Sequence, residues 1–138
     1  MARILQNRSP IDSIGRKAVG FSFPLNGPAV FVPTFTTRDQ IKSNLINYLL
    51  TNKGERVFEP NFGANLRDLV FENVLDRTND ELKERIQAGL DFYFPQVKIE
   101  EINFENQPDN NLIRAIAFTL IYTVENFEVT DDINIILQ

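Results

Sequence analysis

The feature that most constrains the fold is a long apolar run near the C-terminus, LIRAIAFTLIYTV at Leu112–Val124. It is apolar on both faces apart from Arg114, Thr119 and Thr123. A strand with one solvated face would instead alternate apolar and polar residues. We therefore predict that this run is the central strand of a sheet.

Two alternating segments flank the run and predict its neighbours. VKIEEINFE lies before it, and its phase slips between Ile99 and Ile102, which predicts a β-bulge. DDINIILQ, at Asp131–Gln138, predicts the last strand. Its apolar face would carry Ile133, Ile135 and Leu137. With the turn sequence PDNN before the central run, these segments predict an antiparallel meander.

Three helical patterns precede the sheet. The first opens at Thr37, at capping-box spacing from Gln40, and the third opens at Thr78, at the same spacing from Glu81. A shorter helix is predicted from Asn65 to about Val74. The apolar side chains at helical spacing are Ile41, Leu45, Tyr48 and Leu49, then Leu66, Leu69 and Val70, then Leu82, Ile86, Leu90 and Tyr93.

Upstream of the helices, alternating segments on either side of a turn at Asn26–Pro28 predict a β-hairpin between Lys17 and Phe35. The order of β-hairpin, three helices and antiparallel C-terminal sheet defines an α+β fold. We expect an N-terminal arm and hairpin in residues 1–36 and an α+β domain in residues 37–138.

The composition excludes several kinds of chemistry. The chain has no cysteine and no histidine, so a Cys/His zinc site, a Ser-His-Asp triad and a thiol redox centre are impossible. A net charge of −5 argues against a nucleic-acid partner. No apolar run approaches the ~20 residues of a membrane span. We expect a soluble protein without metal or cofactor, made in a reducing compartment.

The stretch KGERVFEPNFGANLRDLVFE, from Lys53 to Glu72, carries the candidate site. Its acids, Glu55, Glu59, Asp68 and Glu72, could supply the two carboxylates of a glycosidase, but nineteen acids in the chain bring some pair together by chance. The alternative is a shaped connector. It would hold an extended segment before Pro60, place Phe58 and Phe62 in the core, and turn with positive φ at Gly63.

The two arginines of this stretch, Arg56 and Arg67, could bind carbonyls or carboxylates at a junction. A connector of this kind either staples the domain together or docks onto a partner. Exposure of Arg56 and Glu59 would distinguish docking from stapling.

These residues resemble the baseplate-wedge family of contractile phage tails, which includes the baseplate component of type VI secretion systems. The matching positions are Gly54, Arg56, Pro60, Phe62, Gly63, Leu66, Val70, Phe71 and Glu72. The resemblance covers Thr37 to Gln138. One departure lies after the long helix, where the family often has Glu-Pro-Arg and this chain has Phe94, Pro95 and Gln96. Arg56 or Lys98 could replace the missing arginine.

The resemblance implies a non-enzymatic structural subunit of the virion's tail baseplate, present in the host cytoplasm during assembly. It would link the wedge core bundle to the first sheath ring and initiate sheath assembly by β-strand addition. The implied partners are the tail sheath protein, other baseplate wedge subunits and tube-proximal baseplate proteins. The candidate partner-binding residues are Arg56, Glu59, Pro60, Phe62, Gly63, Arg67, Glu72, Ile133, Asn134, Ile135, Ile136 and Leu137.

Two alternatives remain open. One is a lysozyme-like glycosidase acting on peptidoglycan, and the other is a β-edge adaptor unrelated to tails. The last strand, Asp131–Gln138, could offer an edge for strand addition or could be the outer strand of a closed meander.

Overall fold

Helices and strands follow one another in the predicted order. In the computed structural model they are β1 (Gly20–Phe21), β2 (Pro33–Thr34), α1 (Thr37–Leu50), α2 (Leu66–Phe71), α3 (Asn79–Tyr93), β3 (Val97–Pro108), β4 (Arg114–Val124) and β5 (Val129–Leu137). The structure describes residues 17–23, 25, 31–71, 79–108, 114–125 and 129–137. The α+β class is confirmed.

The chain divides into two units, Met1–Tyr48 and Leu49–Gln138. The predicted domain boundary between residues 36 and 37 stays a prediction. The predicted turn at Asn26–Pro28 lies outside the described residues, as do the cap at Thr78 and the end of the second helix beyond Phe71.

The first unit holds a two-stranded ribbon tied to helix α1. β1 and β2 pair antiparallel, so the hairpin is confirmed. The Thr34 hydroxyl donates to Gln40 Oε1 at 2.6 Å, and the Phe23 amide donates to Ser43 Oγ at 3.3 Å. A side chain at Gly20 would collide with the Gln40 side chain, so the glycine allows the ribbon to approach the helix.

Helix α1 is capped by Thr36, one residue before the predicted Thr37. Thr36 Oγ1 accepts from the Asp39 amide at 3.2 Å and donates to the Asp39 carboxylate at 2.6 Å. Thr36 is therefore the N-cap, one position before the predicted Thr37, because Thr37 is already helical. The Asp39 carboxylate meets the Thr36 hydroxyl, whereas in a capping box it would accept from the Thr36 backbone amide. Gln40, the predicted partner, instead binds Thr34 and Asn44. The predicted apolar face, Ile41, Leu45, Tyr48 and Leu49, is buried.

The second unit is built on an antiparallel sheet in the order β3-β4-β5. β4 is therefore the central strand, as predicted. The register shifts between Ile99 and Glu101, which confirms the predicted bulge. The inner face of the sheet is the core of this unit. It is formed by Val97, Ile99, Ile102, Ile116, Phe118, Leu120, Tyr122, Val124, Ile133 and Leu137, all buried.

The helices of the second unit supply the rest of its core. Leu66 of α2 and Leu82, Ile86 and Leu90 of α3 are buried, as their spacing predicts. The inward positions predicted for Leu69 and Val70 lie outside the described side chains. No helix within the described part of the chain is long and apolar enough to cross a membrane.

Candidate functional site

The loop between α1 and α2 is closed at its base by backbone hydrogen bonds. The Gly54 amide donates to the Pro60 carbonyl at 2.7 Å, and the Phe62 amide donates to the Glu59 carbonyl at 3.0 Å. The Glu55 carboxylate accepts from the backbone amide and the side-chain amide of Asn52, at 3.1 and 2.9 Å. These contacts fix the path of the chain on both sides of the loop tip, which we define as Val57 and Phe58.

Two glycines make this path possible. Gly54 has φ of 90° and Gly63 has φ of 122°, a region that L side chains rarely adopt. The turn predicted at Gly63 is confirmed. A Cβ there would lie 2.3 Å from the Thr51 carbonyl oxygen, whereas a Cβ at Gly54 would have no neighbour within 4 Å. Gly63 is thus required both by its φ and by close packing against backbone.

Arg56 joins the surface of the loop to its buried aromatic. Its guanidinium lies 3.7 Å from the centre of the Phe62 ring, and Nη1 lies 3.7 Å from Glu59 Oε2. Phe62 itself is 6% exposed and meets Tyr93 edge-to-face, with ring centres 5.0 Å apart. The Arg56 and Glu59 side chains remain 41% and 55% exposed, which is the condition that a docking role requires.

The loop tip contradicts one prediction. Phe58 was expected in the core with Phe62, but it is 97% exposed, and its neighbour Val57 is 89% exposed. Phe62 occupies the space beneath Arg56, and the Gly54–Pro60 closure carries residues 57 and 58 to the outside of the loop. Val57 and Phe58 could not be recognised as surface residues from the sequence, because an aromatic residue in a loop gives no pattern that separates packing from exposure.

The other predicted loop residues occupy different environments. Pro60 is exposed beside Glu59, and Gly63 is buried. Arg67 is exposed on α2. Glu72 lies outside the described residues. The structure therefore gathers Arg56, Glu59 and Phe62 into one contact set.

The second candidate surface is the open edge of β5. Among the described strands, β5 pairs with β4 alone. Ile133, Ile135 and Leu137 lie opposite Leu120, Phe118 and Ile116 of the buried face, so the predicted alternation is confirmed. Asn134 and Ile136 lie on the other face, where Ile136 is 60% exposed.

The opposite edge of the sheet, on β3, is covered by side chains of α3 at residues 97–100. Gln87 Oε1 accepts from the Ile99 amide at 2.9 Å, and Gln87 Nε2 donates to the Val97 carbonyl at 3.4 Å. Lys83 Nζ donates to the Glu100 carbonyl at 2.6 Å, at the bulge. A strand added to β3 would need these same backbone groups, and both bulges and covering side chains protect sheet edges in this way. Helix α3 thus protects this part of β3, whereas β5 has no described strand beyond it, although its Asp132 amide donates to the Asp131 side chain at 2.9 Å.

Lys98 is engaged within the sheet. It forms an ion pair with Glu125, and both side chains are more than half exposed. The hydrogen bond to Glu125 and its negative charge raise the pKa of Lys98 above its usual value. Lys98 stays a candidate to replace the arginine of the family's Glu-Pro-Arg, now paired with Glu125.

The candidate catalytic acids are held by local contacts. Glu55 binds Asn52, Glu59 pairs with Arg56, and the Asp68 carboxylate accepts from the Asn65 side chain. All three are exposed. No group of His, Cys, Asp or Glu in the described parts of the chain is arranged to hold a metal ion.

Comparison with known proteins identifies the family. The family model of baseplate wedge protein gp25 matches residues 36–128. Baseplate wedge protein gp25 of Enterobacteria phage T4 is 33% identical over 89 residues, which cover 64% of this chain and 67% of that protein. The chain therefore belongs to the baseplate wedge protein gp25 family, and the resemblance found in the sequence is confirmed. The family is a structural component of contractile-tail baseplates.

Two solved structures share the fold. A protein of Geobacter sulfurreducens, described as a tail lysozyme, has a TM-score of 0.59 at 19% identity, covering 75% of this chain and 93% of that one. A chain in the baseplate of the anti-feeding prophage has a TM-score of 0.58 at 17% identity, covering 76% and 83%. At these identities, the two likenesses show the α+β fold.

Proposed function

We propose that this protein links the baseplate wedge to the first ring of the tail sheath and initiates sheath assembly by accepting a β-strand at β5. The observation that carries this proposal is the asymmetry of the sheet. Lys83 and Gln87 cover the backbone of β3 at residues 97–100, whereas β5 has no described strand beyond it. An exposed edge with unpaired N–H and C=O groups is what strand addition requires.

The backbone energetics indicate how such an edge would work. In an antiparallel edge strand, every second residue presents its N–H and C=O to the open side. Roughly four to five of the nine residues of β5 would therefore face outward, and their N–H and C=O groups would form roughly eight to ten hydrogen bonds with an added strand, each contributing about 1 kcal/mol net. Association itself costs at least about 4 kcal/mol, which leaves roughly millimolar affinity from the backbone alone. Several copies acting together on one sheath ring would supply the remaining affinity through avidity.

The other end of the link is the loop of residues 53–63. Arg56 and Glu59 are partly exposed beside the loop tip, on a base closed by hydrogen bonds. We assign this loop to contacts with other baseplate wedge subunits, including the wedge core bundle, with tube-proximal baseplate proteins as further candidates. The protein would be assembled into the virion baseplate in the host cytoplasm.

The test uses proline at two successive positions of β5, Ile135 and Ile136. Successive backbone amides alternate between the neighbouring strand and the open edge. One variant therefore loses a hydrogen bond to β4, and the other loses only an open donor. The variant that keeps the wild-type unfolding midpoint carries the test. In particles that contain it, we expect normal incorporation into baseplates and no sheath by negative-stain microscopy. Sheathed tails at wild-type frequency would refute strand addition at β5.

A second candidate is a glycosidase acting on peptidoglycan. It is supported by the likeness of fold to the protein described as a tail lysozyme and by the exposed carboxylates of Glu59 and Asp68. The purified protein would be assayed for release of soluble fragments from peptidoglycan. Hydrolysis that is lost in folded Glu59→Gln or Asp68→Asn protein would favour the enzyme. No hydrolysis by the wild type would remove this candidate.

A further inference from the structure

We propose that the loop tip, Val57 and Phe58, is an apolar knob that inserts into an uncharged apolar cleft of a neighbouring baseplate protein different from this chain. The inference rests on the proposed function, in which this loop contacts the wedge, and it names the chemistry of that contact. It also replaces the expectation that Phe62 meets the partner, because Phe62 is buried.

Both side chains of the loop tip are exposed to solvent. Val57 and Phe58 are 89% and 97% exposed, so both side chains are almost fully in water. Single exposed apolar residues are common, but here two adjacent apolar side chains are both in water at the tip of one loop. Burying one side chain of this size in a partner contributes roughly 10- to 100-fold in affinity.

The loop that carries the tip is held in place before any partner binds. The Gly54–Pro60 hydrogen bond, the Glu55–Asn52 contacts and the stacking of Arg56 on Phe62 flank the tip on both sides. A loop whose base is already fixed loses little conformational entropy when its tip is buried. Phe62 anchors this arrangement from within the core and thereby sets the direction in which the tip projects.

The charges of the loop indicate which kind of partner surface would receive its tip. The loop carries Lys53, Glu55, Arg56 and Glu59, whose formal charges cancel. Both carboxylates are already bound within the loop, to Asn52 and to Arg56. Charged side chains around a partner's cleft would therefore add little binding free energy. The complementary surface is an apolar, uncharged cleft.

The same reasoning disfavours a lipid surface. Residues 49–138 contain eight Lys and Arg against seventeen Asp and Glu. An anionic membrane would repel a unit of this charge, whereas peripheral membrane proteins combine apolar side chains with a basic face. A protein cleft is the occupant that fits both the apolar tip and the acidic unit that carries it.

The experiment compares Val57→Ser/Phe58→Ser with Phe31→Ser in assembled particles. Phe31 is 59% exposed in the first unit, where its ring meets Phe21, so its variant removes an exposed aromatic without touching the contacts that hold the loop. Copies of the protein per baseplate are counted by quantitative mass spectrometry against another baseplate subunit. We expect at least a tenfold loss for the double variant, wild-type copy number for Phe31→Ser, and partial recovery when Phe58 is replaced by Leu.

Wild-type copy number for a folded double variant would overturn the proposal. Sedimentation with phosphatidylcholine–phosphatidylglycerol vesicles that depends on Phe58 would assign the tip to lipid instead. A dimer of the purified protein that the double variant abolishes would assign it to a second copy. These results are separable from strand addition, because a failure at β5 leaves the protein in baseplates without sheath, whereas a failure at the tip removes the protein itself.

Discussion

Replacing Gly63 by alanine tests how firmly the docking loop is held. With φ of 122°, an L residue there costs about 1–3 kcal/mol in backbone strain. The new Cβ would also lie 2.3 Å from the oxygen and 2.9 Å from the carbon of the Thr51 carbonyl. Because these are backbone atoms, relief requires the chain to move, at a further cost of about 1–3 kcal/mol by analogy with overpacked cores. The total expected loss of unfolding free energy is about 2–6 kcal/mol.

Gly54→Ala is the matched control. Its φ of 90° imposes comparable strain, but its Cβ would enter open space. The difference between the two variants therefore isolates the collision with Thr51, which we expect to be about 1–3 kcal/mol. Urea unfolding followed by circular dichroism would show it as a difference in midpoint of about 1 M, for a typical denaturant dependence near 2 kcal/mol/M. Equal midpoints would show that the loop is not pinned against Thr51.

Three further predictions concern single contacts. Thr36→Ala should lower the unfolding free energy by about 1 kcal/mol because the helix loses its cap, and Thr37→Ala should lower it by less. If thermal unfolding instead gave the lower midpoint for Thr37→Ala, Thr37 would be the capping residue. Gln87→Ala should lower the unfolding free energy by about 1–3 kcal/mol and speed hydrogen exchange at the Ile99 amide, which Gln87 covers. Unchanged exchange of this amide by NMR would show that Gln87 does not protect the β3 edge. Glu125→Gln should lower the pKa of Lys98 in an NMR titration. Because that pKa is raised on folding, the pair stabilises the wild type at neutral pH and stops doing so as the pH rises through it.

The order and class of the helices and strands could be predicted from the sequence. Leu112–Val124 is apolar on both faces, and β4 is the central strand. The phase slip after Ile99 marks the bulge, and the apolar faces of α1 and α3 are buried where their spacing places them. These features are local, because the period of apolar residues reports directly on the conformation that can bury them. The positive φ at Gly63 was likewise readable, since glycine is the residue that such a turn admits.

Which surfaces are available to partners depends on contacts between residues far apart in the sequence. Phe58 and Phe62 lie four positions apart in one loop, yet only Phe62 is buried, because it packs against Tyr93 of helix α3. The sequence could not distinguish Thr36 from Thr37 as the capping residue, because both carry the same hydroxyl group. The helix begins at Thr37, so Thr36 is the residue whose hydroxyl accepts from the Asp39 amide.

The open edge of the sheet, on β5, also could not be identified from the sequence alone. Sequence predicted a meander with β5 at its side, but both outer strands of a three-stranded sheet carry unpaired backbone groups. The difference between them comes from Lys83 and Gln87, which reach the β3 backbone from α3. No periodicity within a strand reports on side chains that arrive from another element. Burial and pairing across long sequence separations therefore decided the candidate site, whereas local periodicity had already determined the elements that carry it.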